Sequence, residues 1–328
     1  MTMHAAIRLL TVSGLAVLSL VLGFATADAQ GYPNRPIRLY QGFPAGGTAD
    51  VVARALGEEI ASTLGQPVVT EAKPGASGNI ATEQVVRSAP DGHALVLFTT
   101  AHLISPALMK SISFDATKDL DYVSMVAELS FFVAVHNDSP FKTIDELIAH
   151  ARSNPDTLTW GSAGTGSGQH MCGELLAHTT GVKLRHVPFR GDAGSVTALL
   201  SRSIDFIVAP SPVLVGNIHG GNFRALAVAG KKRAPALPDV PTLSEALSID
   251  IDMMFPQGIA TTKGTPPSVI EQLRKAVHGA IASPTVQKRL GDMGAVALPT
   301  TPAQTATIVG EQIALWRRVV AAAGLKHE

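Results

Sequence analysis

Short apolar runs, each followed by a glycine-rich turn and then a helical pattern, recur along this chain, and that alternation restricts it to sheets covered by helices. Residues 37–43 read as a strand, 44–48 as a turn, and 49–64 as a helix with Val52, Leu56, Ile60 and Leu64 on one face. Gly65 and Pro67 stop that helix. The order repeats with a strand at 68–70, a turn at 73–78 and a helix to 87, then a strand at 94–99 and a short helix near 106–110.

A second series starts at the apolar run 131–135, after which Thr143 and Glu146 form a capping box for a helix through 151. Residues 158–161 lead into the glycine-rich turn 162–168 and a helix to 180. Residues 185–189 lead into 190–194 and a helix to 200, and strands are expected at 205–209 and 225–229. The tail brings an extended loop at 231–241, a second capping box at Thr242 and Glu245, a strand at 257–260, and two helices opened by Thr265-Pro266 and Thr301-Pro302. One strand and two helices cannot easily enclose a core, so this tail is expected to pack back on the first series. The predicted fold is therefore α/β with two domains, each a mostly parallel sheet flanked by helices, joined by two hinge crossings near 128–134 and 252–260. Domain one takes 30–130 and 256–328, and domain two takes 131–255.

Residues 1–29 read as a secretory signal peptide, with a basic start (His4, Arg8), an apolar run over 9–24, and small residues at Ala27 and Ala29. Cleavage is expected after Ala29, with a cut after Ala27 or an uncleaved anchor as the alternatives, and the mature chain is expected in the periplasm. Cys172 is the single cysteine, so stability has to come from burial rather than from an internal disulfide, and the thiol reads as a small buried hydrophobe. The 26 basic and 26 acidic residues balance, and no basic stripe points to nucleic acid.

Glycine in a strand-to-helix turn lets backbone amides approach a ligand, and the helix that follows presents its unpaired N–H groups and the positive end of its dipole. The turns at 44–50 and 161–169 are the best candidates for such an anion site, although glycine also serves tight turns that bind nothing. Enzyme patterns fit poorly. Gly164-Thr165-Gly166-Ser167-Gly168 lacks the dinucleotide spacing, and no Walker lysine, nucleophile elbow or H-E-x-x-H occurs. His170 and His178 stand eight apart with no third ligand at metal spacing, and His170 reads either as a support for the preceding loop or as a ligand contact. No metal and no cofactor is expected. Neither turn carries a basic residue, so a bound carboxylate should rest on the amides of 45–48 and 164–166, with Arg190 as the rival cation.

Several ordered motifs are similar to one family. They are Tyr32-Pro33-Asn34-Arg35-Pro36-Ile37-Arg38-Leu39, Phe43-Pro44-Ala45-Gly46-Gly47, Pro74-Gly75-Ala76-Ser77-Gly78-Asn79, Ala89-Pro90-Asp91-Gly92, His186-Val187-Pro188-Phe189-Arg190-Gly191, Arg224-Ala225-Leu226-Ala227-Val228 and Leu237-Pro238-Asp239-Val240-Pro241-Thr242. The chain resembles the Bug family, extracytoplasmic solute-binding receptors of tripartite tricarboxylate transporters. The resemblance implies a monomeric Venus-flytrap receptor, not an enzyme, that captures a small carboxylate (a dicarboxylate or aromatic acid) and delivers it to membrane permease subunits. An orphan sensing receptor is the alternative, and a hydrolase or isomerase on the same scaffold a more distant one. The first pincer loop would supply Phe43, Ala45, Gly46, Gly47 and Thr48, and the second Ser162, Ala163, Gly164, Thr165 and Gly166 with His170 after them. Thr100, as a hydroxyl donor, and His102 would follow the cleft-lining strand, and Phe189 and Asp205 would complete the wall. Three stretches depart from the family pattern: Thr48-Ala49-Asp50, where a Gly-Thr-Asp or similar run is usual, Ala209-Pro210-Ser211-Pro212, and Asp252 to Gly258, which has no Trp.

Overall fold

The computed structural model describes residues 31–322 apart from 231, 250–252 and 254. The signal peptide read from residues 1–29 lies outside them. In chain order the elements are β1 Ile37–Gln41, α1 Thr48–Leu64, β2 Val68–Ala72, α2 Asn79–Val86, β3 Ala94–Phe98, α3 Thr100–Leu108, β4 Leu120–Leu129 and β5 Phe131–His136. Then come α4 Ile144–Ser153, β6 Thr159–Ser162, α5 Gly168–Thr180, β7 Arg185–Pro188, α6 Asp192–Leu200, β8 Phe206–Pro210, α7 Ser211–His219 and β9 Phe223–Ala229. The chain continues with α8 Leu243–Leu247, β10 Pro256–Thr262, α9 Pro267–Ala282, α10 Pro284–Asp292, β11 Ala295–Ala297 and α11 Pro302–Ala322. Among the described residues no helix is long and apolar enough to cross a membrane.

Local chemistry accounts for many of the boundaries. Helix α1 buries Val52, Leu56 and Ile60 at four-residue spacing, each side chain contributing roughly 1.5–3 kcal/mol when fully buried. It ends at Gly65, which takes the left-handed conformation (φ 68°) and donates its N–H to the Ala61 carbonyl. Both capping boxes form, at Thr143 with Glu146 and at Thr242 with Glu245. Helix α3 corrects the sequence reading. Pro106 looked like the first turn of a helix near 106–110, but the helix starts at Thr100 and carries Pro106 inside it. The strand at 94–98 therefore runs almost directly into a helix N-terminus.

The sheets are ordered β11-β4-β10-β3-β1-β2 and β7-β6-β8-β5-β9. The parallel ladders are β1 with β2 and β3, and β6 with β7 and β8; every pairing made by β10, β5 or β11 is antiparallel. In direction, β1 to β4 point one way against β10 and β11, while β6 to β9 point one way against β5. The expectation of mostly parallel sheets therefore needs one correction: each sheet is mixed, with the strand that arrives from the other half running against most of its neighbours. The cause is geometric. A segment entering a half at the shared edge can only run away from that edge, whereas β1 to β4 and β6 to β9 run toward it.

Only Ser130 separates β4 from β5, and the return passes through Phe255 into β10. Strand β4, which the sequence reading did not foresee, pairs with both β10 and β11. The tail packs on the first half through α11 against α3 and β4, and through α9 against α1 and β4. In the second half Trp160 of β6 is fully buried and carries α5 on its indole. Cys172 lies buried in the same helix, and burial pushes its thiol up to about 12, so it serves as packing.

Gly173 is the close point of that contact: a Cβ there would stand 2.3 Å from Cη2 of Trp160. Gly173→Ala improves helix propensity by about 1 kcal/mol. Overpacking against a fixed indole should still leave the protein about 1–3 kcal/mol less stable. Urea unfolding reads this directly, and an unchanged or higher midpoint would count against the packing account.

Candidate functional site

Since most strands of both sheets end at the shared edge, their strand-to-helix turns face each other there, as in other open α/β sheets. A cavity lies between them. From the first half it is lined by Phe43, Thr48 and Ala49 of the first turn and α1, and by Thr99, Thr100 and Ala101 at the start of α3. The second half supplies Ala163, Gly168, Gln169, Asp192 and Pro210, and the crossing segments supply Leu129, Phe131, Phe255 and Gln257. Its volume is about 50 Å³. A wider cavity of about 440 Å³ shares Phe43 and Ala163 with it and opens between residues 42–44 and 74–78 on one side and 163–165 and 189–191 on the other.

Three helix N-termini line the smaller cavity: those of α1 (Thr48, Ala49), α3 (Thr100, Ala101) and α5 (Gly168, Gln169). Neither Gly47 ahead of α1 nor Thr99 ahead of α3 caps its helix with a side chain. Such first-turn amides have no partner within the helix, and they carry the positive end of its dipole. Among the described residues no Lys or Arg lines this cavity, and Asp192 is its one ionisable group.

Asp192 bridges the halves. Its Oδ2 accepts from the Thr48 hydroxyl at 3.0 Å and from the Thr48 N–H at 3.5 Å, and its Oδ1 accepts from Gln169 Nε2 at 2.7 Å. Burial raises its pKa, and the bonds from Thr48 and Gln169 offset this only in part. A second bond across the cleft runs from the Ser77 hydroxyl to the Thr165 carbonyl, at 2.6 Å. Gln257, 3% exposed on β10, has an Oε1 with no hydrogen-bond partner.

The two glycine-rich turns largely satisfy themselves. Gly46 N–H donates to Asp50 Oδ2, Gly47 N–H to the Pro44 carbonyl, Gly164 N–H to Ser162 Oγ, and Gly166 N–H to His170 Nδ1. Burial works to raise the pKa of Asp50, but bonds from Arg54, Gly46 and Gln41 hold it below the usual carboxylate range. The amides of Gly46, Gly47, Gly164 and Gly166 are thus spent on loop shape, while that of Thr48 meets Asp192 across the cleft. The donors left to face the cavity belong to the helix starts.

Of the residues singled out from sequence, Phe43, Thr48, Thr100 and Ala163 line the smaller cavity, and Gly164, Thr165 and Phe189 line the wider one. Ala45, Gly46 and Gly47 line neither, and Gly166 faces Ser77 of the opposite half. Ser162 and His170 lie beneath the second loop. Ser162 Oγ meets His186 Nε2 at 2.7 Å, and the rings of His170, His186 and Trp160 form a stack under the loop, the two imidazoles 4.3 Å apart. His102 does not reach the cavity: it is buried behind the start of α3, stacked on Phe114 and 3.1 Å from the Tyr122 hydroxyl. Asp205 is also corrected. It precedes β8 and accepts from the Thr159 amide and hydroxyl at the amino ends of these strands, the end away from the cleft. The sequence reading missed Asp192, Gln169 and Gln257. The turn holding Asp192 had been singled out, but for Arg190, which lines the wider cavity.

A family model described as the tripartite tricarboxylate transporter family receptor matches residues 52–325. Among solved structures, the periplasmic binding protein BugD is 32% identical, covering 90% of this chain and 100% of its own, with a TM-score of 0.86. MatC (Rpa3494) from Rhodopseudomonas palustris, solved with bound malate, is 31% identical over 88% of this chain and 100% of its own, with a TM-score of 0.83. Rpa4515 of R. palustris, solved with adipate, is 27% identical over 90% and 100%, with a TM-score of 0.86.

The buried imidazoles generate a pH dependence. Burial depresses His102 and His170 to about 4, and burial together with the neighbouring His170 depresses His186 to about 3. Each is neutral in the folded protein but takes a proton in the unfolded chain below about pH 6.5, so stability is lost as the pH falls from there toward 4. Asp192 and Glu174, raised by burial, oppose this in part because they protonate more readily when folded. Each imidazole should remove about 1 to 2 kcal/mol between pH 7 and pH 5. Chemical denaturation at the two pH values checks it, and equal stabilities would contradict the neutral stack.

Proposed function

The chain belongs to the tripartite tricarboxylate transporter receptor family, the Bug proteins, and from that premise we propose that it captures a small carboxylic acid in the cavity between its halves for delivery to a membrane permease. One observation carries the reading: the starts of α1, α3 and α5 converge on a cavity that no Lys or Arg among the described residues lines. Each helix start presents roughly half a positive charge together with unpartnered N–H groups, so a carboxylate is recognised by hydrogen bonds and dipoles without an ion pair. The malate bound by MatC and the adipate bound by Rpa4515 support the same ligand class. Thr100 adds a hydroxyl beside the α3 amides. The polar groups that line the smaller cavity are arranged to hold a ligand, as a binding protein requires. Periplasmic placement after cleavage at Ala29 is part of the same proposal.

A thermal-shift screen of carboxylates, with amines and sugars as controls, tests the ligand class. A ligand at a hundredfold excess over its Kd should add about 2.7 kcal/mol of apparent stability. A library in which no acid shifts the melting point would overturn the proposal.

The recognition mode has its own test. Thr100→Pro deletes one cavity-facing amide at the first helical position, where proline fits and where the extended Thr99 before it accommodates the ring. Measured against Thr100→Val, which keeps the amide, it should weaken acid binding at least tenfold, or about 1.4 kcal/mol. Arg190→Ala should weaken it by less than that. Calorimetry on variants whose melting curves confirm folding decides between them, and the reverse ranking would assign recognition to an ion pair.

A further inference from the structure

The cavity wall holds acceptors as well as donors. Asp192 is anchored by two neutral partners, Thr48 and Gln169, and among the described residues no cation forms an ion pair with it. A carboxylate offers about four lone-pair sites, so these bonds leave it able to accept one more. Gln257, buried on the crossing strand, adds a carbonyl oxygen that no protein group satisfies. A buried acceptor without a partner is destabilising unless something in the cavity donates to it. The helix starts therefore suit one carboxylate, whereas Asp192 and Gln257 suit a donor and repel a second anion.

We infer that this receptor selects monocarboxylic acids that also carry a hydrogen-bond donor, a hydroxyl or an ammonium, read by Asp192 and Gln257, and that it discriminates against dicarboxylates. This rests on the carboxylate-binding reading above and narrows it. With an ammonium ligand, Asp192 supplies a charge-assisted bond. With a hydroxyl, Asp192 and Gln257 act as neutral-donor acceptors, and the carboxylate still faces the amides.

Four-carbon acids of matched skeleton test it by calorimetry at neutral pH on the full exported chain: butyrate, its 2-, 3- and 4-hydroxy derivatives, 2- and 4-aminobutyrate, and succinate. At least one donor-bearing acid should bind tenfold or more tightly than both butyrate and succinate. Asp192→Asn should shrink that advantage below threefold and tighten succinate binding at least tenfold. The loss should be larger for an amino than for a hydroxy acid if the natural donor is ammonium, and similar for both if it is a hydroxyl. Gln257→Met should weaken the preferred acid while leaving butyrate within threefold. Succinate binding as tightly as the best donor-bearing acid, or an Asp192→Asn protein with the wild-type ranking, overturns the inference while leaving the carboxylate reading standing. The wild-type ranking decides even if a variant fails to fold. If no acid of either this set or the wider library binds, both readings fall.

Discussion

The two segments that join the halves are held to each other, and the rest of the architecture follows from that contact. The Leu129 N–H donates to the Phe255 carbonyl at 3.1 Å, and the rings of Phe131 and Phe255 stack with centroids 3.7 Å apart and planes 4° from parallel. Both passages between the halves thus lie side by side at one edge of the cleft. A strand that begins at this edge must run away from it, which reverses β5 and β10 relative to the main direction of their sheets. The strands that return to the edge then deliver their turns and helix starts to the cleft. Phe131, Phe255 and Gln257, being on the crossing segments themselves, enter the cavity wall by the same geometry.

Shape and recognition are divided between different backbone groups. The amides of Gly46, Gly47, Gly164 and Gly166 are bonded locally, to Asp50, Pro44, Ser162 and His170, so these parts of the loops are set before anything binds. Such pre-ordering lowers the entropy that binding must overcome. The helix starts supply the remaining donors. Because their partial charges are fixed dipoles rather than mobile cations, the helix starts present positive potential without burying a Lys or Arg, whose desolvation would be costly.

What could be read from sequence was what local chemistry dictates. The capping boxes at Thr143 and Thr242, the stop at Gly65, and the strand-turn-helix order all depend on neighbours within a few residues. Strand β4 escaped notice because residues 120–129 mix Asp121, Ser124 and Glu128 with apolar residues, and its burial comes from partners in the distant tail, β10 and β11. Pro106 suggested a helix start but sits within one. In the site, placement failed where it depended on which end of a strand faces the cleft. Asp205 lies at an amino end, and His102 points from α3 into the core of its own half. Asp192 and Gln257 carry no local signature at all: one is an acid after a glycine and the other a glutamine in an apolar strand. Their meaning arises only when the two halves meet.

The energetics of that meeting bound what a ligand can add to it. Thr48 with Asp192 and Ser77 with Thr165 are the hydrogen bonds across the cleft described above, and a net hydrogen bond contributes about 0.5–1.5 kcal/mol, somewhat more when one partner is charged. Taken alone, two such bonds bias closure by little more than one or two powers of ten in population; the Ser211 hydroxyl, donating to the Gly294 carbonyl at 3.1 Å, adds a third bond between the halves, and the entropy of fixing them counts against all three. A ligand that contacts both halves adds its full difference in affinity between the closed and open forms, and only that difference moves the equilibrium. Asp192 takes part in both terms, since the carboxylate that ties α6 to the start of α1 also faces the cavity. A donor on the ligand can share this carboxylate with Thr48 and so add its own contact to the bridge. Under the proposed selectivity a second anion would instead raise the energy of the same bridge, and charge selection and closure would act through one side chain.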